Sequence, residues 1–448
     1  MGSKRDNKAV EPRGSTLHQT PYEVLSKSLF FPDEVQYEWW HGAAPIMGKL
    51  LHDTNYDLHR QYQYLTLLAH HVIPSMGLSP RDSRAHCYPS MLGTATLFEL
   101  SQNFQQAGCT IRVLFEPTSY PNSNHSHALM TPETLRKLQL VGDSRLDLQL
   151  HYQFAGQLAL SKKEKERLRL LSDRRFAELL GTVSYIGLDL GKEGDVTIKS
   201  YHPLLPNFVA TGKAGSDLAF RAVRTIDESS GRGAALSHIE GYMQDRTQGH
   251  PSDTDPRVFL MGCDLVDASQ ARVKLYIFDP LVTWDNVADI WTLGGRLNAV
   301  PDVVSGLEIL RELWAALKLP EGYHFPEDAH SSKGREDLRD PLKPVFFDGQ
   351  SMMMNFELRP GDPYPKPQVY LNLCTIRDSM VVGAVTAFFE KLGWMEEARS
   401  YKEKVTSYYP SCNLEETSDR LGTISFSYSS KNGPYTTVYY RHIRMSLN

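Results

Sequence analysis

Cationic and hydroxyl side chains recur at even spacing in five separated places along the chain. Arg112 stands in TIRVLF, Lys199 and Tyr201 in IKSY, Arg272, Lys274 and Tyr276 in RVKLY, Gln368 and Tyr370 in QVY, and Tyr435 and Tyr439 in PYTTVY. Residues two apart on a β-strand project to the same side, so each group presents its polar side chains on one face. A solvated outer face is the ordinary place for a single such pair. Five groups in phase point instead to a shared interior. Four cations inside a protein are costly to bury unless they meet anions. A diphosphate, with about three negative charges, suits Arg112, Lys199, Arg272 and Lys274 through charge-assisted hydrogen bonds of about 1.5–3 kcal/mol each. Gln368 and the hydroxyls of Tyr201, Tyr276, Tyr370, Tyr435 and Tyr439 add neutral donors. Tyrosine ring faces also attract a desolvated cation by about 2 kcal/mol and screen it from water. The chemistry implied is ionisation of an allylic diphosphate.

Glu99, in LFEL, is a carboxylate between large apolar residues. It is either an outward solvated glutamate or an inward acceptor for a substrate N–H. Several familiar sites are absent. No DDxxD cluster holds magnesium, and no GxGxxG, GxSxG or HExxH occurs. Gly42 to Lys49 (GAAPIMGK) has one residue too many before Gly48 for a phosphate loop, and Leu50 follows where Ser or Thr is needed. His70 and His71 lack a partner at ligand spacing, which favours a helix-surface or core role over metal. No metal and no cofactor is expected.

Strand pairs must position these groups. Period-two patterns broken by turn residues mark Thr94 to Phe104 with Cys109 to Glu116, Val183 to Leu190 with Val196 to Tyr201, and Val258 to Val266 with Ala271 to Phe278. Two more pairs are Val345 to Leu358 with Gln368 to Cys374, and Thr423 to Tyr428 with Tyr435 to Arg441. Successive hairpins start roughly 75 to 90 residues apart, a repeat of architecture rather than of sequence. Helical patterns lie between them. Thr131-Pro132 starts one helix, and Ser161 with Glu164 forms a capping box. The run Lys162 to Arg169 reads as a solvated helix side. Trp284, Val287, Ile290 and Trp291 make one apolar stripe, and Leu307, Leu310, Leu313, Trp314 and Leu317 another. About ten strands in hairpins, alternating with helices, predict an α+β fold. Its centre is a single antiparallel barrel surrounded by helices and wide enough to enclose a ligand. Residues 1–20 read as a loose tail and 21–448 as one barrel domain.

The composition, 41% hydrophobic and 23% charged, is that of an ordinary globular chain. A net charge of -5 without a basic block argues against nucleic acid. No apolar run approaches the length of a membrane span, and the opening residues lack the apolar core of a signal peptide. Five widely spaced cysteines (Cys87, Cys109, Cys263, Cys374, Cys412) without a CxxC pair predict reduced thiols in a soluble, cytoplasmic protein. The partners expected are small molecules; the oligomeric state stays open between monomer and homodimer.

The stretches LGTATLFELSQNF, TIRVLFEP, IKSYHP, CDLVDASQARVKLY, WTLGGR, PKPQVYL and ISFSYSSKNGPYTTVY resemble the fungal dimethylallyltryptophan synthase family of indole prenyltransferases. The resemblance runs from about Tyr22 to Tyr440. It implies the ten-stranded ABBA barrel and metal-independent transfer of a dimethylallyl group from dimethylallyl diphosphate to an aromatic ring. It also implies that Glu99 accepts the indole N–H, and that Arg112, Lys199, Arg272 and Lys274 bind the diphosphate. Tyr201, Tyr276, Gln368, Tyr370, Tyr435 and Tyr439 would complete the shield. Met353 falls where the family has an apolar wall of the aromatic pocket. Two positions depart from the pattern for free tryptophan. Tyr185 stands where enzymes that prenylate C4 carry lysine, and Arg257 lies about two residues from the arginine that holds the amino acid carboxylate. The acceptors expected are therefore tryptophan or a tryptophan-containing cyclic dipeptide or alkaloid precursor. Tyrosine or another phenol is the alternative within the fold. A non-catalytic barrel binding a phosphorylated ligand and a nucleotide-using transferase are the rivals outside it.

Overall fold

The structure, a computed structural model, describes residues 19–77, 97–118, 127–141, 146–171, 184–212, 215–226, 231–247, 256–323 and 352–441. Residues 1–18 of the expected tail, Cys87, and the expected strand portions before Leu97, Ser184 and Met352 fall outside the described residues, while Thr20 caps the helix Pro21–Ser28.

Alternating segments become β1 (Phe98–Gln105), β2 (Gly108–Phe115), β3 (Tyr185–Leu190), β4 (Val196–Pro203), β5 (Arg257–Asp264) and β6 (Val273–Asp279). After a short pair, β7 (Leu281–Val282) and β8 (Gly322–Tyr323), come β9 (Met352–Leu358), β10 (Lys366–Asn372), β11 (Leu421–Ser429) and β12 (Gly433–Tyr440). Ten of these close into a barrel in the order β1-β12-β11-β10-β9-β6-β5-β4-β3-β2. All five expected hairpins are present as antiparallel pairs. β1 meets β12 with Leu100 against Tyr440, which removes both sheet edges.

The two faces divide by polarity. Ile111, Val113, Ile186, Leu188, Leu275, Ile277, Phe356, Val369, Leu371, Phe426 and Val438 are all at most 1% exposed and share the outer face. Each is worth about 1.5–3 kcal/mol when covered, and helices do the covering. Pro301–Leu317 packs on β11, Trp284–Trp291 on β10, Gly215–Ile226 on β5, Gln149–Gln157 on β4 and His127–Val141 on β3. Gly306 lets the first of these approach closely, because a Cβ there would stand 2.9 Å from both Trp291 and Tyr428. With the apolar side sealed under helices, the polar side is left to the lumen.

Helix-level expectations are mostly met. Ser161 and Glu164 exchange both capping-box hydrogen bonds. The Trp and Leu stripes are core, with Trp291, Leu310 and Leu313 buried and Leu307 partly so. GAAPIMGK is the middle of the helix Glu34–Asp53, not a loop. One boundary differs: the helix expected from Thr131-Pro132 begins at His127 and carries Pro132 inside. Pro132 lacks the N–H of a helix interior position and its ring crowds the preceding turn, while the Thr131 hydroxyl donates to the Ser184 carbonyl at 3.0 Å. His70 and His71 lie in a π-helical turn, Leu68–Val72. Cys109, Cys263, Cys374 and Cys412 are free thiols. Among the described residues no helix is long and apolar enough to cross a membrane.

Candidate active site

Strand register decides what the lumen holds. Arg112 lies opposite Asp189; Lys199 lies opposite Gly187 on one side and Asp264 on the other. Lys274 faces Glu357, and Tyr276 and Gln368 flank Asn355. Tyr435 and Tyr439 continue the same face around β12. All ten side chains expected to form a donor cradle therefore line one interior. Arg272 sits one residue before β6 and still reaches in, bonding Asp264 at 2.5 and 3.2 Å and Glu357 at 3.3 Å.

The cations are not alone there. Asp189 takes Arg112 at 2.8 and 3.1 Å and also holds Lys199. Glu357 lies 3.5 Å from Lys274, whose ammonium donates to Gln368 at 3.3 Å. Four cations against three carboxylates leave one excess positive charge. The expectation that burial requires a bound anion is corrected accordingly: Asp189, Asp264 and Glu357 pair with the buried cations. Sequence reasoning missed them because it followed only the second strand of each hairpin. The same period-two rule applied to the first strands would have found Asp189 four residues from Tyr185 and Glu357 four from Met353.

Charge states follow from this network. Burial pushes Lys199 down to about 8, with Asp189 opposing and Arg112 adding to the fall. Burial alone would raise Glu357, but Lys274, Arg272 and Arg359 outweigh it and hold the carboxyl at about 2. Burial raises the hydroxyls of Tyr201, Tyr276, Tyr370, Tyr435 and Tyr439, so each is a neutral phenol. A phenolate would capture a carbocation; a neutral ring stabilises it.

The rings form a continuous arc. Tyr201 to Tyr276, Tyr276 to Tyr370 and Tyr370 to Tyr439 have centroids 6.1, 6.0 and 6.1 Å apart. Arg112 lies 5.4 Å over the Tyr435 ring. Asn355 donates to the Tyr370 hydroxyl at 3.0 Å and to Gln368 at 3.1 Å. Two glycines make room for Tyr201: a Cβ on Gly262 would stand 2.6 Å from its ring, and one on Gly187 3.1 Å.

Beyond the arc the lumen turns apolar. Phe259 and Phe278 pack with Tyr276 and Tyr370, and Met353, Leu260, Tyr201 and Tyr439 join them. Register resolves the methionine run: Met353 faces Phe278 and Tyr370 inside, while Met352 and Met354 belong to the outer core. Tyr185 is buried opposite Tyr201, and Arg257 opens β5 opposite Phe278. Glu99 lies on β1 opposite Leu114, only 8% exposed. Burial raises its carboxyl to about 7, with Arg441 the opposing charge.

A closed ten-stranded antiparallel barrel surrounded by helices is the architecture of the ABBA prenyltransferases. The profile of the tryptophan dimethylallyltransferase family matches residues 35–404. A verruculogen prenyltransferase from Neosartorya fischeri is 39% identical over 96% of this chain and 97% of its own. The roquefortine prenyltransferase of Penicillium rubens is 35% identical, with 97% of each chain covered. Among solved structures, AnaPT from Neosartorya fischeri superposes with a TM-score of 0.79 at 29% identity, over 95% of this chain and 98% of the other. The complex of NotF with brevianamide F and DMSPP gives a TM-score of 0.77 at 27% identity, covering 96% and 100%. The chain belongs to the tryptophan dimethylallyltransferase family, and it is an enzyme: a prenyltransferase of the indole type.

Proposed function

We propose that this enzyme transfers the dimethylallyl group of dimethylallyl diphosphate to the indole of a tryptophan-derived acceptor, preferring a cyclic dipeptide over free tryptophan. The observation that carries this reading is that a cationic cradle, an arc of neutral tyrosines and the buried Glu99 carboxylate share one lumen. Arg112, Lys199, Arg272 and Lys274, with Gln368, grip the diphosphate as the C–O bond breaks and negative charge grows on the leaving group. Tyr201, Tyr276, Tyr370, Tyr435 and Tyr439 flank the allylic cation and keep water away. Glu99 accepts the indole N–H, which raises ring electron density as the new carbon–carbon bond forms. Its carboxylate, or a neighbour relaying to it, then takes the proton whose loss restores aromaticity.

Tyr185 and Met353 would contact the acceptor from the apolar part of the lumen, and Arg257 from the start of β5. The preference for a cyclic dipeptide is supported by Tyr185, a neutral group beside Tyr201, and by a relative crystallised with brevianamide F. Transfer without a metal is supported by the three cradle carboxylates, Asp189, Asp264 and Glu357, each already engaged by arginine or lysine. Among the described residues no group of His, Cys, Asp and Glu is arranged to hold a metal ion. The test is incubation with dimethylallyl diphosphate and a panel of tryptophan, tyrosine and tryptophan-containing cyclic dipeptides, with and without EDTA, and product positions read by NMR. Prenylated cyclic dipeptide in EDTA is the expected result. Turnover of tyrosine alone would overturn the acceptor assignment, and complete loss in EDTA the metal-free one.

A further inference from the structure

A cavity of about 520 Å³ lies between the turns that join β5 to β6 and β9 to β10 and shares Arg272 with the cradle. Ser269, Gln270, Arg272, Arg359, Asp362 and Lys366 contribute its polar lining. Its cations are paired, Lys366 with Asp362 at 3.1 Å and both Arg272 and Arg359 with Glu357, and cradle and cavity together hold six cations against four carboxylates, an excess of two. Its wiring to the cradle is direct. Arg272 lines the cavity and bonds Asp264 and Glu357. Arg359 bonds the other oxygen of Glu357 at 2.5 Å. Lys366 stands opposite Glu357 in the strand register, so Lys274, Glu357 and Lys366 form one row across β6, β9 and β10. Arg359 and Lys366 are nearly half exposed, whereas Lys199 is buried and Lys274 mostly so.

We propose that this cavity is a second anion site, where the diphosphate of the incoming donor docks on Arg359 and Lys366 before passing to the cradle, and through which inorganic diphosphate leaves. The inference rests on the reading that the lumen cations hold the diphosphate. Its physical basis is the pairing within the cradle: an entering anion must displace carboxylates that already occupy the cations. The most exposed of those contacts is Arg359 with Glu357. Docking there loosens Glu357 from one side, and Arg272, common to both sites, hands the anion inward. Exposed cations at a mouth of this kind raise association rates, and salt removes the effect.

The test compares wild type, the double variant Arg359→Ala with Lys366→Ala, and the lumen variant Lys199→Ala in steady-state kinetics with varied dimethylallyl diphosphate, at low and at high salt. The double variant is expected to lose about tenfold in donor kcat/KM at low salt and less than about twofold at high salt, where charges beyond a few ångströms are screened. Arg359→Lys with Lys366→Arg, which keeps both charges, is expected to restore the low-salt rate. An unchanged low-salt kcat/KM, or a loss of equal size at both salt concentrations, overturns the second site. Wild-type donor affinity in Lys199→Ala would instead overturn the lumen reading, and this inference with it.

Discussion

Replacing Glu99 by glutamine separates what the residue does for catalysis from what it costs the fold. Burial raises its carboxyl from the usual 4.5 to about 7. The folded protein therefore prefers the protonated acid. Below about pH 4.5 both folded and unfolded chains carry the proton and Glu99 adds no cost. Between 4.5 and 7 the unfolded chain loses it first, so stability falls as pH rises, and above 7 the cost is constant. At 1.36 kcal/mol per pH unit the full penalty is about 3 kcal/mol at pH 8, and about 1 kcal/mol at pH 5.5. Glu99→Gln cannot ionise and regains that amount. With about 2.1 cal/mol/K of unfolding entropy per residue, or about 0.9 kcal/mol/K for this chain, calorimetry should find Tm about 3 °C higher at pH 8 and about 1 °C higher at pH 5.5. The same substitution should lower kcat/KM for the acceptor by about 100-fold or more, because the amide can no longer take a proton. In wild type the acceptor kcat/KM should rise through about pH 7, and in the variant that rise should vanish. A gain in Tm of the same size at both pH values refutes the buried-acid argument, and near wild-type turnover refutes the role in catalysis.

Further outcomes follow from the lumen. Gly262→Ala places a methyl group 2.6 Å from the Tyr201 ring and forces it aside, at about 1–3 kcal/mol in overpacking. Prenyl transfer should fall about tenfold while the share of dimethylallyl alcohol rises, measured by chromatography; an unchanged product ratio would speak against Tyr201 as a shield. Asp189→Asn removes the charge that most opposes the lowering of Lys199, so the alkaline limb of donor kcat/KM should move from about 8 to lower pH. A limb that stays in place would show that Lys199 does not govern donor binding. Phe356→Ala opens a cavity on the outer face of β9 and should cost about 3–5 kcal/mol in denaturant unfolding, and a loss below about 1 kcal/mol would contradict its place in the core.

Much of this protein is legible without its structure because the signals are local. Period-two alternation beside Gly108 and Gly433 is decided within a dozen residues, and it places Arg112, Lys199, Lys274, Gln368 and Tyr435 on one face of their strands. What alternation leaves undetermined is which face is inside. That is decided when the helices bury Phe356, Leu275 and their neighbours and so turn the polar side toward the lumen. Charge pairing is likewise tertiary: Arg272 and Glu357 are 85 residues apart in sequence and 3.3 Å apart in space. Met353 is indistinguishable from its two neighbours until strand register sets it against Tyr370. The seating of Tyr201 across Gly262 depends on two strands pairing with a third. The residue types and their phase were thus written in the chain itself. The neutralising carboxylates, the direction each face takes and the position of every ring were decided by contacts between segments that meet only after the barrel closes.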